Sequence, residues 1–421
     1  MRRVTFAFAV VWLVAACSAV VPVTPSPTIN PDVPSTAGPA VRPLASPSRA
    51  ASPSASPTSA PTVATSAPPP ATPVDDAGTF GADGLWAVSG GRLFLSTDRG
   101  QTWTSSRLAA DVAPGSAEGY ALSSVAVLDA AHAWTASPGP GSTVPYRGQG
   151  PGIDHLHVIV RRTTDGGATW KAAAIAGDWG GTQPVLAFAD PRHGFLLLSG
   201  LRFGPGSVVF ATDDGGATFR RAGGAERLGS VFGATDAETV WAGNEGDAGP
   251  VARPILDVSR DGGRTWVDAG LPELVGDVFV NDIAAGVPVF SGQDGAFAVI
   301  AASTDTPTDV RFYRTADGGR TWELAATSPM ASDGTVAASV IDVTHFVVVG
   351  PGTGLEQVSD DGGQSWQVSP TDGLDIALGL RFWDPAAGIA LAPTSGPPGL
   401  ETIATTSDGG ETWLPVALPA G

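Results

Sequence analysis

An octapeptide recurs seven times along this 421-residue chain, and the recurrence restricts the folds open to it more than any other feature. The copies are STDRGQTW at 96–103, TTDGGATW at 163–170, TDDGGATF at 212–219, SRDGGRTW at 259–266, TADGGRTW at 315–322, SDDGGQSW at 359–366 and TSDGGETW at 406–413. All fit (Ser/Thr)-x-Asp-x-Gly-x-(Thr/Ser)-(Trp/Phe), with closing aromatics 67, 49, 47, 56, 44 and 47 residues apart. Self-similarity at such a period marks a tandem array, in which each unit buries its apolar faces against its neighbours.

Each copy follows a short apolar or alternating run, as at 93–95, 158–160, 208–210 and 255–258, so it is expected to close a hairpin between two strands. Its carboxylate (Asp98, Asp165, Asp214, Asp261, Asp317, Asp361, Asp408) can accept hydrogen bonds from turn N–H groups, and the hydroxyl at the first position does so more weakly. The fifth-position glycine permits the positive φ that such a turn needs. The closing aromatic is expected to re-enter the fold and be buried. Upstream, Trp86, Trp134, Phe195, Trp241, Phe297, Phe346 and Ile389 mark one strand, and runs such as VAVLD, VLAFAD, SVFGATD and LRFWD mark another before it. Four short strands per unit predict an all-β, seven-bladed β-propeller over 78–421, at about 49 residues per blade.

These motifs resemble those of the Asp-box, or bacterial neuraminidase repeat, proteins, a group that includes sialidases, sortilin-like receptors, some glycan hydrolases and photosystem II assembly-factor-like propellers. The strand and box texture is most similar to that of the last. The resemblance implies a structural role for the boxes, away from the active face, and protein-partner binding for the assembly-factor-like members. A sialidase would add an arginine trio, a Tyr/Glu nucleophile pair, an Asp acid/base, an Arg-Ile-Pro motif and six blades. Here there is no Arg-Ile-Pro, the boxes number seven, and the tyrosines are Tyr120, Tyr146 and Tyr313. No catalytic residue is therefore assigned. A glycoside hydrolase, sialidase-like or other, stands as the alternative to a binding module.

The first 16 residues read as a lipoprotein signal peptide: Arg2 and Arg3, an apolar run at 4–16, then Val14-Ala15-Ala16-Cys17. The pattern resembles a bacterial lipobox, which implies cleavage before Cys17 and lipid attachment to its sulfur. Cys17 is the single cysteine, so no intramolecular disulfide is possible. Residues 17–77 form a disordered tether; fifteen prolines among Ser, Ala, Thr and Val at 18–77 leave nothing to bury. Its reach lies between roughly 40–50 Å as a coil and about 190 Å as extended polyproline. A bacterial cell-surface or periplasmic location, anchored to a membrane, follows.

Beyond residue 74 the chain carries 19 basic and 40 acidic residues, a net charge of −21. Such a domain is not drawn to nucleic acid. Its partner is expected to be an extracytoplasmic protein or glycan. With the box between strands three and four, the loops between strands two and three and the connections between blades open on the opposite face. The ligand-binding candidates there are Tyr146, Arg147 and His155 in the longest such loop, Trp179 on a blade connection, Arg202 in the third unit, and Glu245 and Arg253 in the fourth, where Asp247 also lies; Asp309 lies in the fifth. Trp179 offers a face for a sugar ring, and Arg147, Arg202 and Arg253 offer bidentate donors for a carboxylate. Asp154, His155 and His157 are donor types suited to zinc, but a Gly/Pro-rich loop presents them equally well as solvated surface. No metal and no cofactor are expected.

Overall fold

The computed structural model describes residues 72–81, 83–108, 124–138, 157–175, 184–199, 206–225, 228–229, 231–247, 253–273, 282–302, 308–328, 336–350, 354–393 and 401–419. Residues 1–71, which hold the expected signal peptide, Cys17 and most of the expected tether, lie outside them. All described residues belong to one compact unit, and all the regular elements among them are strands.

The strands form seven antiparallel blades in the order first-second-third-fourth. Blade 1 shows the plan: Asp76–Phe80, Gly84–Ser89, Arg92–Ser96 and Thr104–Arg107. Its first strand opens two residues ahead of the expected boundary at 78. Every octapeptide begins on the last residue of a third strand and hands the chain to a fourth. The seven upstream markers all lie in second strands and are buried, from Trp86 at 4% exposure to Trp241, Phe346 and Ile389 at 0%.

Blade 5 departs from the plan. Its first strand is split into Asp282–Ala285 and Val289–Ser291, both paired with the nine-residue second strand Asp294–Ala302. Pro288, which has no N–H for the ladder, stands at the break. Across the same seam, Glu245 of blade 4 pairs with Ala284, fusing the two blades into one continuous sheet.

The core is divided among the seams. Seven apolar clusters are found among the described residues, and each joins one blade to the next. Trp241, Leu256 and Val258 of blade 4 meet Phe297, Tyr313 and Trp322 of blade 5. Ile389, Leu391 and Ile403 of blade 7 meet Ala77, Leu85 and Phe94 of blade 1, which closes the ring. A strap reinforces that closure: Val74 N–H donates to the Glu401 carbonyl (2.8 Å), Thr72 N–H to Val416, and Leu418 N–H to the Thr72 hydroxyl.

The expectation that every closing aromatic is buried needs correction. Trp322 and Trp413 are, at 7% and 2% exposure, whereas Trp103, Trp170, Phe219, Trp266 and Trp366 are only half-buried. All seven stand just before the fourth, outermost strand, and these five pack against the apolar cluster of a seam while staying partly exposed.

Candidate functional site

The face that carries the boxes is fastened by backbone and short side chains. In each box the first hydroxyl accepts the N–H of the second glycine position and donates to the aspartate. The aspartate in turn accepts the N–H and hydroxyl of the Thr or Ser four residues on. In blade 1 these bonds are Gly100 N–H to Ser96 (2.8 Å), Ser96 to Asp98 (2.7 Å), Thr102 N–H to Asp98 (2.8 Å) and Thr102 Oγ1 to Asp98 (2.5 Å). The set repeats in all seven blades, ending with Thr406, Asp408, Gly410 and Thr412. Donation from Thr102, then from Ser96, holds the Asp98 carboxyl down at about 2, and Asp165 behaves alike.

A second device on this face was not foreseen. The turn between strands one and two is closed by an aspartate that accepts two N–H groups: Asp129 from Ala131 and His132, Asp190 from Arg192 and His193, Asp342 from Thr344 and His345, and Asp384 from Ala386 and Ala387. The same turn then accepts an N–H from the box, as in Gly166 to Ala131 and Gly409 to Ala386. The seven box aspartates and these four are thus engaged in turn closure. The signal was present in the sequence, since runs such as VAVLD and LRFWD end on these aspartates.

Strands one and two are joined on the box face, so the connections between strands two and three, and between blades, leave from the other. Tyr146, Arg147, His155, Trp179 and Arg202 belong to these connections and lie outside the described residues. Glu245 and Arg253 sit elsewhere than expected. Blade 4's second strand runs on to Asp247 (Val240–Asp247) and its third begins at Arg253 (Arg253–Ser259), because Asp247 pairs with Arg253 past a register shift. Asp309 likewise opens a strand, Asp309–Thr315, and forms an ion pair with Arg311 (3.1 Å). Among the described residues, no group of three His, Cys, Asp or Glu is placed to hold a metal ion, and no helix is long and apolar enough to cross a membrane.

A concavity of about 610 Å3 lies along the central channel, lined by first-strand residues of all seven blades. Its wall presents polar backbone and apolar side chains in equal measure, the latter including Val125, Ala187, Phe232, Val287 and Ala338. Ser124 and Ser339 contribute hydroxyls, each accepting the first-strand N–H of the next blade, Leu186 (3.0 Å) and Phe382 (2.9 Å). Arg381 is the one charged residue among those lining it.

Two buried carboxyls, Asp76 and Glu356, and the half-buried Glu401 stand out elsewhere. Burial raises the Glu356 carboxyl to about 8, helped by Asp408 and Glu411, and it lies against Gly410 of the blade 7 box. Burial raises Glu401 to about 7 and pushes Asp76 up, the latter also through Glu401. All three lie at the two seams of blade 7 and outside the channel lining.

The BNR/Asp-box repeat family model matches residues 357–368, which contain the sixth box. Among solved structures the chain is similar to "YCF48 bound to D1 peptide", at 18% identity and a TM-score of 0.50 over 80% of this chain and 93% of that one. It is also similar to YCF48 from Cyanidioschyzon merolae (15% identity, 81% and 97% covered, TM-score 0.46) and to the GH74 enzyme of Niastella koreensis (14%, 83% and 72%, TM-score 0.27). No curated protein matches the chain in sequence. With the seven box turns, the first likeness establishes an Asp-box repeat propeller fold.

Proposed function

We propose that the protein is a membrane-anchored, extracytoplasmic propeller that binds a protein or glycan partner on the face opposite its box turns and carries out no catalysis. The observation behind this reading is the inequality of the two faces. One is stitched by seven copies of the same hydrogen-bonded turn, while the longest connections depart from the other. Strand ends at Pro138 and Val158 bound the longest of them, which carries Tyr146, Arg147 and His155. A structural relative bound to a peptide supports a protein partner. The Cys17 lipobox and the Pro-rich tether, from sequence, supply anchor and reach.

Crosslinking and pull-down from intact cells tests the reading, beside a variant altered at Arg147, Trp179 and Arg253. A partner recovered with the native protein and lost with the variant is the expected result. Turnover of a sialoside or polysaccharide that one carboxylate substitution abolishes would overturn the non-catalytic reading in favour of a glycoside hydrolase. Cys17→Ser should move the protein from the detergent phase to the aqueous phase; retention in detergent would remove the lipid anchor from the proposal.

A further inference from the structure

Within the inner strands, the position facing the buried marker of strand two is occupied by a small residue in blades 1 to 4. The pairs are Gly78 with Trp86, Ala126 with Trp134, Ala187 with Phe195 and Gly233 with Trp241. Packing explains that pattern: a Cβ on Gly78 would stand 2.6 Å from the Trp86 ring. In blade 7 the same position is Arg381, opposite Ile389. The repeat itself has no use for a guanidinium there, yet one lines the channel.

Arg381 has neither a hydrogen bond nor an ion pair to any described residue, although the chain carries 41 acidic side chains against 23 basic ones. Burial alone pushes its pKa down, with no carboxylate facing it to push it back. A guanidinium stays charged in proteins and presents five N–H donors in a planar fork. Arg381 is half-buried, so its fork is available to a partner entering the channel. Of the lining hydroxyls, those of Ser124 and Ser339 already accept a wall N–H. Thr79 of blade 1 shares its side of the channel, because the cross-strand partners Leu85 and Ile389 pack in one cluster.

We propose that the central channel is a binding site for a monocarboxylate with an apolar body, its carboxylate paired bidentately with Arg381 and its body against the apolar inner strands. One guanidinium matches one carboxylate in charge and geometry, whereas a dianion would bring a second charge into a cavity with no second cation. The volume suits a small organic ligand or the last residues of a polypeptide. The proposal uses none of the residues on which the partner reading rests, so the two are decided by separate tests.

The test is calorimetric titration of the full chain with hexanoate and with hexanamide, repeated on Arg381→Gln and Arg381→Lys. Hexanoate should bind and raise the melting temperature, and hexanamide should bind about tenfold or more weakly. Arg381→Gln should lose hexanoate affinity by at least about tenfold, with Arg381→Lys intermediate because it keeps the charge without the fork. The melting temperature of the unliganded Gln variant should equal or exceed that of the native protein, since a half-buried, unpaired charge has been removed. A short peptide with a free C-terminus, beside its amidated form, separates the two sources of such a group. Tighter binding of the peptide acid than of hexanoate assigns a chain terminus, and the reverse assigns a free small acid. Equal binding of acid and amide, no binding of either acid, or undiminished binding by a folded Gln variant overturns the proposal.

Discussion

At the scale of the residue, the second glycine of each box meets two independent demands. Its φ is positive in every blade, from 76° at Gly319 to 99° at Gly410. In most blades it also rests on the preceding blade, so that a Cβ on Gly363 would lie 2.0 Å from Ala326 and one on Gly216 would lie 3.3 Å from Trp134. Gly270 separates the two demands, with a φ of 71° and open space around it. Gly270→Ala should therefore cost about 1 kcal/mol, the left-handed backbone alone. Gly363→Ala should cost about 3 kcal/mol or more, as overpacking at a seam is added. Urea unfolding checks both, and equal losses would show that contact with the neighbouring blade contributes nothing. The first box replaces its leading glycine with Arg99 at a φ of 56°. That side chain bonds Asp83 (2.6 Å) and, across the closing seam, Asp384 (2.8 Å), a reason for an arginine that the octapeptide alone does not reveal.

The blade is the element at which sequence was most informative. Seven boxes and seven markers located third and second strands, since a turn that needs a particular hydroxyl, carboxylate and glycine leaves a fixed signature. First and fourth strands were fainter, being short, and blade 5 hid its broken inner strand behind one proline. The candidate site was legible only as a face. Its loops obey no repeat, and Glu245 and Arg253 could not be told from loop residues because the second and third strands of blade 4 extend beyond the apolar pattern. Arg381 was invisible for a different reason: its meaning depends on which side chains face the axis. Burial of the closing aromatics was also overstated, and that bears on stability. Trp413 is enclosed and stands edge-on to Phe382 with ring centroids 5.9 Å apart, so Trp413→Ala should cost about 3–5 kcal/mol. The half-buried Trp266 should cost about half as much on truncation. Equal shifts in the urea midpoint would contradict this ranking.

At the scale of the whole molecule, the ring closes through blade 7, and its seams hold the three carboxyls that resist ionisation. Glu356 lies between blade 6 and the blade 7 box, while Asp76 and Glu401 flank the strap from blade 1. An unfolded glutamate ionises near 4.3, so between that value and about 8 the folded protein holds a proton at Glu356 that the unfolded chain has released. Linkage then gives stability that is fully present below pH 4, declines as pH rises through the folded value, and is lost above it. Glu401 adds a decline of the same sign that ends near 7. The box aspartates oppose this only in acid: their lowered values make their contribution present above about pH 4 and lost as pH falls through about 2. The ring should accordingly be most stable in mildly acidic solution and weaken toward pH 9, by on the order of 3–5 kcal/mol for Glu356. Urea unfolding at pH 5, 7 and 9 measures the slope. Glu356→Gln, which cannot ionise, should flatten it while leaving the loss below about pH 3 in place; a slope unchanged by that substitution would place the proton elsewhere than at the blade 6–blade 7 seam.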